Sequence, residues 1–318
     1  MVFFLYKSKN NHRMDKNREI VYNQKSLKEE KTKMENTYQE TMFLLKKYHI
    51  LANKSLGQNF LINDEVIEKT IEQAQIGEED LVIEIGPGLG TLTKHLLEKA
   101  KRVVAIELDA RMLTILKDRF SLYTNLEIIH QDVLKVNLQE VIQNERENYQ
   151  IDKVKIVANL PYYITTPIIM KLLEDHLEVE SITVMVQKEV AKRLTAMPGS
   201  KLCGAITYAI SYYCKPYEIV EVPKDSFIPA PEVSSEVIQL VLRKELPVDL
   251  KNEKLFFQII RLAFMQRRKT FINAITNSGF IEKEKIKEVL NQLSISEKVR
   301  GEDLTLEQFA QIANLCSK

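Results

Sequence analysis

Between residues 81 and 187, short apolar runs alternate with segments of helical spacing, and this alternation most constrains the fold. The strand-like runs are LVIEI (81–85), RVVAIE (102–107), LEIIHQD (126–132), VKIVAN (154–159) and SITVMVQ (181–187). Amphipathic segments such as TLTKHLLEKA and ARMLTILKDRF lie between them. Strands separated by helices form parallel βαβ units. The sequence therefore predicts an α/β fold with a Rossmann-like, mostly parallel sheet.

The pattern changes after residue 205, where AISYYCKPYEIVEVP and EVIQLVLRK are strand-like with no clear helix between them. This predicts an antiparallel end to the sheet. Beyond residue 244 the spacing is helical, in KLFFQIIRLAFMQRRKTFINAI, EKEKIKEVLNQL and TLEQFAQIANLC. We predict a main domain over residues 46–245 and a small all-helical domain over residues 246–318. Residues 1–45 are predicted to be a disordered N-terminal extension, and Met34 is an alternative start.

Composition limits the classes of function. The 318 residues are 45% hydrophobic and 28% charged with a net charge of +1, so any nucleic-acid contact must rest on local basic patches. Three cysteines without CxxC spacing and five scattered histidines predict neither a disulfide framework nor a metal site. No apolar run has membrane-spanning length. We expect a cytoplasmic protein without a metal or membrane partner, and nothing requires more than a monomer.

A glycine-rich turn follows the first of these strands. Gly86, Gly88 and Gly90 have GxGxG spacing, which differs from the GxGxxG of dinucleotide enzymes. Glu107 ends the second strand and can accept hydrogen bonds from ribose hydroxyls, while Asp132 ends the third. Either acid alone would more often be a cap or turn residue. Together at one sheet edge they predict a site for an adenosine-containing ligand other than NAD.

The fourth strand ends in Asn159-Leu160-Pro161-Tyr162. The Asn159 side chain and the Leu160 carbonyl can accept two N–H groups of an exocyclic amine and orient its lone pair. Pro161 fixes φ, and the Tyr162 ring offers a face for a base. A plain turn with packed tyrosines is the alternative. At this edge of the sheet, the motif favours chemistry on a base amine.

These segments resemble the ribosomal RNA adenine N6,N6-dimethyltransferase family of the small-subunit (16S) type. The matching stretches are SLGQNFLIN, IEIGPGLGTLT, AIELD, HQDVL, NLPYYITTPI, VMVQKEVAKRL, SFIPAPEVSSEV, FMQRRKTFINAI and RGEDLTLEQFAQIAN. Departures occur at Cys203 and Ile206-Thr207, near the loop at Pro198-Gly199. The resemblance implies a class I methyltransferase fold that uses S-adenosylmethionine to dimethylate two adjacent adenines of 16S rRNA in the small ribosomal subunit.

The resemblance also implies roles for individual residues. The cofactor would contact Asn59, Leu61, Gly86, Gly88, Glu107, Asp132 and Asn159. The catalytic group would comprise Asn159, Leu160, Pro161, Tyr162 and Phe227. In that group Tyr162 would stack on the target adenine, and Phe227 would cover its other face; from the residues alone, Phe227 would more often be a core residue.

Affinity for RNA needs phosphate contacts beyond the stacking of one base. The residues predicted for this are Lys188, Lys192, Arg193, Arg261, Arg267, Arg268 and Lys269. A solvated helix face is an equally good interpretation of these charges. Three other functions stay open: a large-subunit rRNA methyltransferase conferring antibiotic resistance, a non-catalytic ribosome-assembly factor, and a dehydrogenase.

Overall fold

The computed structural model describes residues 36–53 and 57–317. The strands, in chain order, are β1 (Phe60–Leu61), β2 (Leu81–Ile85), β3 (Arg102–Glu107), β4 (Leu126–His130), β5 (Val154–Asn159), β6 (Ser181–Gln187), β7 (Cys214–Val222), β8 (Phe227–Ile228) and β9 (Ser235–Leu242). Every residue of β2 and β3 is buried. Continuous burial explains why these strands are mostly Val, Ile, Leu and Ala without polar alternation, with Glu84 as the one acid inside them.

Seven of these strands form one sheet in the order β4-β3-β2-β5-β6-β9-β7. The ladders from β4 to β6 are parallel, and β9 pairs antiparallel with both β6 and β7. The chain runs outward from β2 to β4 and then returns to place β5 on the other side of β2. Such a switch point opens a crevice at the carboxyl ends of the strands. The predicted mostly parallel sheet with an antiparallel end is confirmed.

Helices cover both faces of the sheet and continue beyond it. In chain order they are α1 (Thr37–Lys47), α2 (Asp64–Gln73), α3 (Thr91–Lys99), α4 (Ala110–Arg119), α5 (Leu138–Asn148), α6 (Thr165–Glu174), α7 (Lys188–Leu194), α8 (Ala205–Tyr213), α9 (Glu253–Met265), α10 (Phe271–Thr276), α11 (Lys283–Gln292) and α12 (Leu306–Cys316). Within the described ranges, none is long and apolar enough to cross a membrane.

The strand-like interpretation of AISYY was wrong, because these residues end helix α8 and β7 begins only at Cys214. Ile and Tyr favour strands by propensity, but tertiary burial decides here. Ile210 packs in the core beneath the sheet, whereas Tyr208 and Tyr212 pack among the C-terminal helices. A helix buried on several sides has no clear amphipathic period.

The C-terminal region is helical, as predicted, and follows the connection after β9 close to the boundary predicted at residue 246. The long helix predicted through MQRRKTF is interrupted, since α9 ends at Met265 and α10 begins at Phe271. Thr270 caps α10 by accepting a hydrogen bond from the Asn273 N–H at 3.5 Å. A β-hydroxyl side chain at this position favours a new helix start over continuation.

Helix α1 corrects the N-terminal boundary. It begins at Thr37, within the predicted extension over residues 1–45, and Asn36 caps it by accepting the Gln39 N–H at 3.0 Å. Leu44 is buried against Ile50 and Phe60, so the helix is anchored by apolar packing. The rest of the predicted extension, including Met34, lies outside the described residues.

Candidate active site at the carboxyl edge of the sheet

A cleft of about 1110 Å³, including its open mouth, lies at the carboxyl ends of β2, β3, β4 and β5. Its walls include the Gly86–Leu89 loop, Glu107, Asp132 and the segment from Asn159 to Tyr163, together with the β1 segment from Gly57 to Leu61. The residues that follow four separate strands therefore meet in one cavity. This convergence agrees with the placement expected from the order of the strands, and the cleft lies where ligands bind in such sheets.

The glycine loop needs its glycines for two different reasons. Gly86, Gly88 and Gly90 all have left-handed backbones, with φ of 69°, 59° and 82°. At Gly86 a Cβ would lie 3.9 Å from the Asn159 carbonyl oxygen, which is an ordinary contact, so the positive φ is what requires glycine here. At Gly90 a Cβ would lie only 2.5 Å from Phe120 Cε2, so here the glycine lets α4 pack against the loop.

Glu107 is fixed by the loop that it faces. One carboxylate oxygen accepts the Gly88 N–H at 3.1 Å and the other accepts the Asp109 N–H at 2.8 Å. Burial raises the pKa of Glu107, and the backbone N–H groups of Asp109, Gly88 and Leu108 oppose that rise. A carboxylate can accept about four hydrogen bonds, so two ribose hydroxyls could still bind.

Asp132 is both a turn-capping residue and part of the cleft wall, the two roles that its sequence position allowed. Its Oδ1 accepts the Leu134 N–H at 3.0 Å and caps the 3₁₀ turn Val133–Lys135. Asp132 also lines the cleft. The capping bond fixes the side chain at the edge of the cavity while the second carboxylate oxygen stays available to a ligand.

The side-chain amide of Asn159 donates a hydrogen bond from its nitrogen, while its oxygen is available to a ligand. Its Nδ2 donates to the Asn59 carbonyl at 3.4 Å, which fixes the orientation of the amide because only nitrogen can donate to a carbonyl. Nothing in the described ranges donates to Oδ1 or to the Leu160 carbonyl. Leu160 itself is buried, and its N–H donates to the Met185 carbonyl on β6 at 3.2 Å. Two acceptors thus lie at the end of β5.

The two tyrosines after Pro161 differ in their surroundings. Tyr162 is half-buried, and its hydroxyl shares a 2.6 Å hydrogen bond with Ser235 Oγ at the start of β9. Burial raises the pKa of this phenol, so it stays neutral. Tyr163 is 58% exposed at the mouth of the cleft. Pro161 accepts the Thr165 hydroxyl at 3.0 Å through its carbonyl, which anchors the turn to α6.

Phe227 is not among the residues lining the cleft. It pairs with Leu61 in the short β1–β8 ladder and is only 3% exposed, packed with Val222 and Val237. Asn59 and Leu61, by contrast, both line the cleft. The structure therefore brings every predicted catalytic and cofactor-binding residue but Phe227 to the cavity. A contact between Phe227 and the target base stays a prediction.

Glu84 also lines the cleft, although it is not among the site residues predicted from the sequence. This carboxyl is 2% exposed in the middle of β2 and accepts the Thr93 hydroxyl at 2.6 Å. Desolvation raises its pKa to about 8, against the effect of the Thr93 hydrogen bond. The signal was present in the sequence: a single acid inside the otherwise apolar strand LVIEI, directly before the glycine loop.

We expect the pH dependence of stability to reveal Glu84. Because its folded-state pKa is near 8 and its usual value is 4.5, the folded state holds the extra proton between these values. The free energy of unfolding then falls as pH rises through that window, by roughly 5 kcal/mol at 1.36 kcal/mol per unit. Glu84→Gln keeps the Thr93 bond and cannot titrate. Urea unfolding is measured at pH 6 and pH 9. Between these values the free energy of unfolding should fall in the parent protein more than in Glu84→Gln. An equal fall in both proteins would refute the raised pKa of Glu84.

The cleft fits S-adenosylmethionine in shape and chemistry. It offers the glycine loop at the end of β2, a buried carboxylate for hydroxyls and a second acid at the next strand end. For metals, no group of three His, Cys, Asp or Glu side chains in the part of the chain that the structure describes could hold an ion. The prediction of no metal stays a prediction.

The basic residues divide into paired and unpaired groups. Lys188, Arg193 and Arg267 form ion pairs with Glu221, Glu189 and Glu302 at 2.6, 3.1 and 2.7 Å. The remaining four are exposed and form no ion pair within residues 36–53 and 57–317: Lys192, Arg261, Arg268 and Lys269. Arg261 lies on α9, whereas Arg268 and Lys269 lie in the connection to α10.

Known proteins resemble this chain over most of its length. Residues 50–318 match the family described as Ribosomal RNA adenine dimethylase. The chain is 48% identical to the Ribosomal RNA small subunit methyltransferase A of Lachnoclostridium phytofermentans over 87% of this chain and 95% of that protein. Identity to the protein of the same name from Clostridioides difficile is 45%, covering 88% and 96% of the two chains.

Two solved structures share the architecture. A dimethyladenosine transferase from Plasmodium falciparum superposes with a TM-score of 0.66 at 28% identity, covering 80% of this chain and 95% of its own. The 23S rRNA methyltransferase ErmE gives 0.60 at 22% identity, covering 81% and 99%, and shows the fold alone. The predicted class I methyltransferase fold, rRNA methyltransferase activity and S-adenosylmethionine cofactor are confirmed. The chain belongs to the ribosomal RNA adenine dimethylase family.

Proposed function

We propose that this enzyme transfers methyl groups from S-adenosylmethionine to N6 of two adjacent adenines in a hairpin of small-subunit rRNA, with a role in small-subunit biogenesis. The observation that carries the proposal is the available Oδ1 of Asn159 in a cleft that holds the glycine loop and Glu107. The names of the relatives support the small subunit as the substrate particle. We further propose that the enzyme works in the cytoplasm as a monomer.

S-adenosylmethionine, when bound, supplies an electrophilic methyl group. Glu107 and Asp132 would hold its ribose and adenine, and Asn59, Leu61, Gly86 and Gly88 would border the rest. At the end of β5, which pairs with the strand that leads into the glycine loop, Asn159 Oδ1 and the Leu160 carbonyl would accept the two N–H groups of the target amine. These two hydrogen bonds aim the nitrogen lone pair and favour its rehybridisation. The amine loses a proton only after it gains positive charge, so no general base is required.

Base extrusion needs compensating contacts. Unstacking an adenine costs a few kcal/mol, and stacking on one aromatic ring returns roughly 1–3 kcal/mol. The Tyr162 ring, held by its hydrogen bond to Ser235, supplies such a face. Phe227 would supply the other only after leaving its buried position. Stacking therefore offsets extrusion, and net affinity must come from elsewhere on the surface.

Phosphate contacts by the unpaired basic side chains are the best source of that affinity. Arg268 and Lys269 extend from the connection between α9 and α10, and Lys192 is exposed on α7. Such contacts read the shape and charge of a folded RNA, with little dependence on base sequence. Lys188, Arg193 and Arg267 must first release a carboxylate, so we assign them smaller contributions.

Salt dependence should separate these two groups. We expect Arg268→Ala or Lys269→Ala to reduce the slope of log affinity against log salt by about 0.7–0.9, since each removes one phosphate contact. Lys188→Ala is the matched control and should change the slope less, because Glu221 already neutralises this ammonium at 2.6 Å. Binding to small subunits is measured by filter retention at several salt concentrations. Equal slopes in all three variants would refute the division.

Two alternatives are less well supported. A large-subunit substrate is suggested by the likeness to ErmE, but that likeness is of fold alone at 22% identity, against 48% identity to a small-subunit enzyme. A purely assembly-related role does not explain a cleft that retains Asn159 and Glu107 together.

Mass spectrometry of nucleosides from small subunits treated with the enzyme and S-adenosylmethionine tests the proposed function. We expect two N6,N6-dimethyladenosines per subunit; unmodified adenosine throughout would reject it.

A further inference from the structure

Helix α1 lies outside the family match, which begins at residue 50, yet it packs against the cofactor loop. Its Leu44 belongs to an apolar cluster that also holds Leu89 from the glycine loop and Phe60 from the cleft wall. All three side chains are buried. Through this cluster, the helix packs with two residues that line the cleft, Leu89 and Phe60.

A polar bridge links the same helix to the loop. Glu40 Oε1 lies 2.7 Å from an Arg119 nitrogen, and the other carboxylate oxygen lies 3.7 Å from Lys94 Nζ. Arg119 in turn donates from its second nitrogen to the Leu89 carbonyl at 2.5 Å. The Arg119 side chain is 8% exposed, and Glu40 is its one ion-pair partner among the described residues. A buried guanidinium needs such a carboxylate to hold its orientation.

The bridge continues to the group that faces the ribose site. Leu89 follows Gly88, whose N–H donates to Glu107 Oε2 at 3.1 Å. On the other side of Leu89, Gly90 packs directly against Phe120, the residue after Arg119. Movement of the Leu89 carbonyl would therefore shift the Gly88 N–H and release one oxygen of Glu107. The chain of contacts runs Glu40, Arg119, Leu89, Gly88, Glu107.

We propose that Glu40 is a positioning residue for S-adenosylmethionine, acting through Arg119 to hold the glycine loop and Glu107 in their binding geometry. This proposal rests on the cofactor roles proposed above for Gly88 and Glu107. Helix α1 is then part of the cofactor site's support, although none of its residues lines the cleft. A second ion pair, Lys47–Asp118 at 2.7 Å, ties α1 to α4 without touching the loop and provides a matched control.

The test titrates the full-length chain with S-adenosylmethionine by calorimetry and measures methylation of undermethylated small subunits. Glu40→Gln should weaken cofactor binding about tenfold, the loss of one charge-assisted hydrogen bond. The KM for S-adenosylmethionine should rise equally, with kcat and affinity for the subunit unchanged. Glu40→Asp should restore part of the loss. Lys47→Met should leave all four quantities at parental values.

Two results would overturn the proposal: parental cofactor affinity in Glu40→Gln, or equal weakening in Lys47→Met, which would mean that any anchor of α1 suffices. If Glu40→Gln does not fold, Arg119→Lys carries the test, because an ammonium keeps the charge but lacks the fork that spans Glu40 and Leu89. Parental affinity in that variant would also overturn the proposal. Cofactor titration needs no RNA, so its outcome is independent of whether the proposed adenines are the substrate.

Discussion

Asn159→Ala should abolish methyl transfer while leaving binding to the small subunit intact. The change removes the Oδ1 acceptor that orients the target amine, and loss of one such preorganised contact lowers kcat roughly 10²–10³-fold. It also removes the 3.4 Å bond to the Asn59 carbonyl. That loss should cost about 1 kcal/mol of stability, too little to unfold the chain. Single-turnover methylation and subunit binding are measured side by side.

The control for this variant is Asn291→Ala, which removes the same side chain from an exposed position on α11. It should retain parental rate and binding. Asn159 would lose its assigned role if both quantities fell together in Asn159→Ala, because the residue would then be acting in RNA binding. A rate within threefold of the parent would contradict the role more directly.

Gly90→Ala should lower the free energy of unfolding by about 3 kcal/mol. A left-handed backbone with φ of 82° costs an L-residue roughly 1–2 kcal/mol. The added Cβ would also lie 2.5 Å from Phe120 Cε2 and 3.0 Å from Leu116 Cδ2. The Phe120 ring and the Leu116 methyl are both buried, so relief requires shifts in packed side chains that cost about 1–3 kcal/mol. Urea unfolding followed by circular dichroism measures the change.

Gly279→Ala separates backbone strain from collision. Gly279 also has positive φ, at 68°, but no atom lies within 4 Å of the position of its Cβ. We expect this variant to lose only about 1 kcal/mol. Similar losses at both glycines would mean that α4 does not pack tightly against the loop, contrary to the geometry described above.

The strand ends could be predicted from the sequence because fully buried parallel strands leave a clear apolar signal. VKIVAN and RVVAIE coincide with β5 and β3 to the residue, and with them the places of Asn159 and Glu107. The glycine spacing marked the loop, since positive φ at three alternate positions demands glycine. Because the strands are parallel, the residues that follow them all lie at the carboxyl edge of the sheet, and this placement could be predicted.

Features that depend on register or long-range packing could not be predicted in this way. Phe227 is buried because β8 pairs with β1, a ladder of two residues with no periodic signal. Ser235 meets Tyr162 only through the position of β9 in the sheet. The contact of Glu40 with Arg119 joins positions 79 residues apart. In each case, the decisive partner is distant in sequence, and local propensity carries no information about it.

The most direct test of this account incubates the purified chain and labelled S-adenosylmethionine with undermethylated small and large ribosomal subunits in parallel. The account predicts label in dimethyladenosine from small subunits alone. Label in large-subunit RNA would contradict the proposed substrate. It would favour the alternative of a large-subunit rRNA methyltransferase that confers antibiotic resistance. Absence of label from both, with small-subunit binding intact, would contradict the catalytic role given to Asn159 and Leu160 and favour an assembly factor.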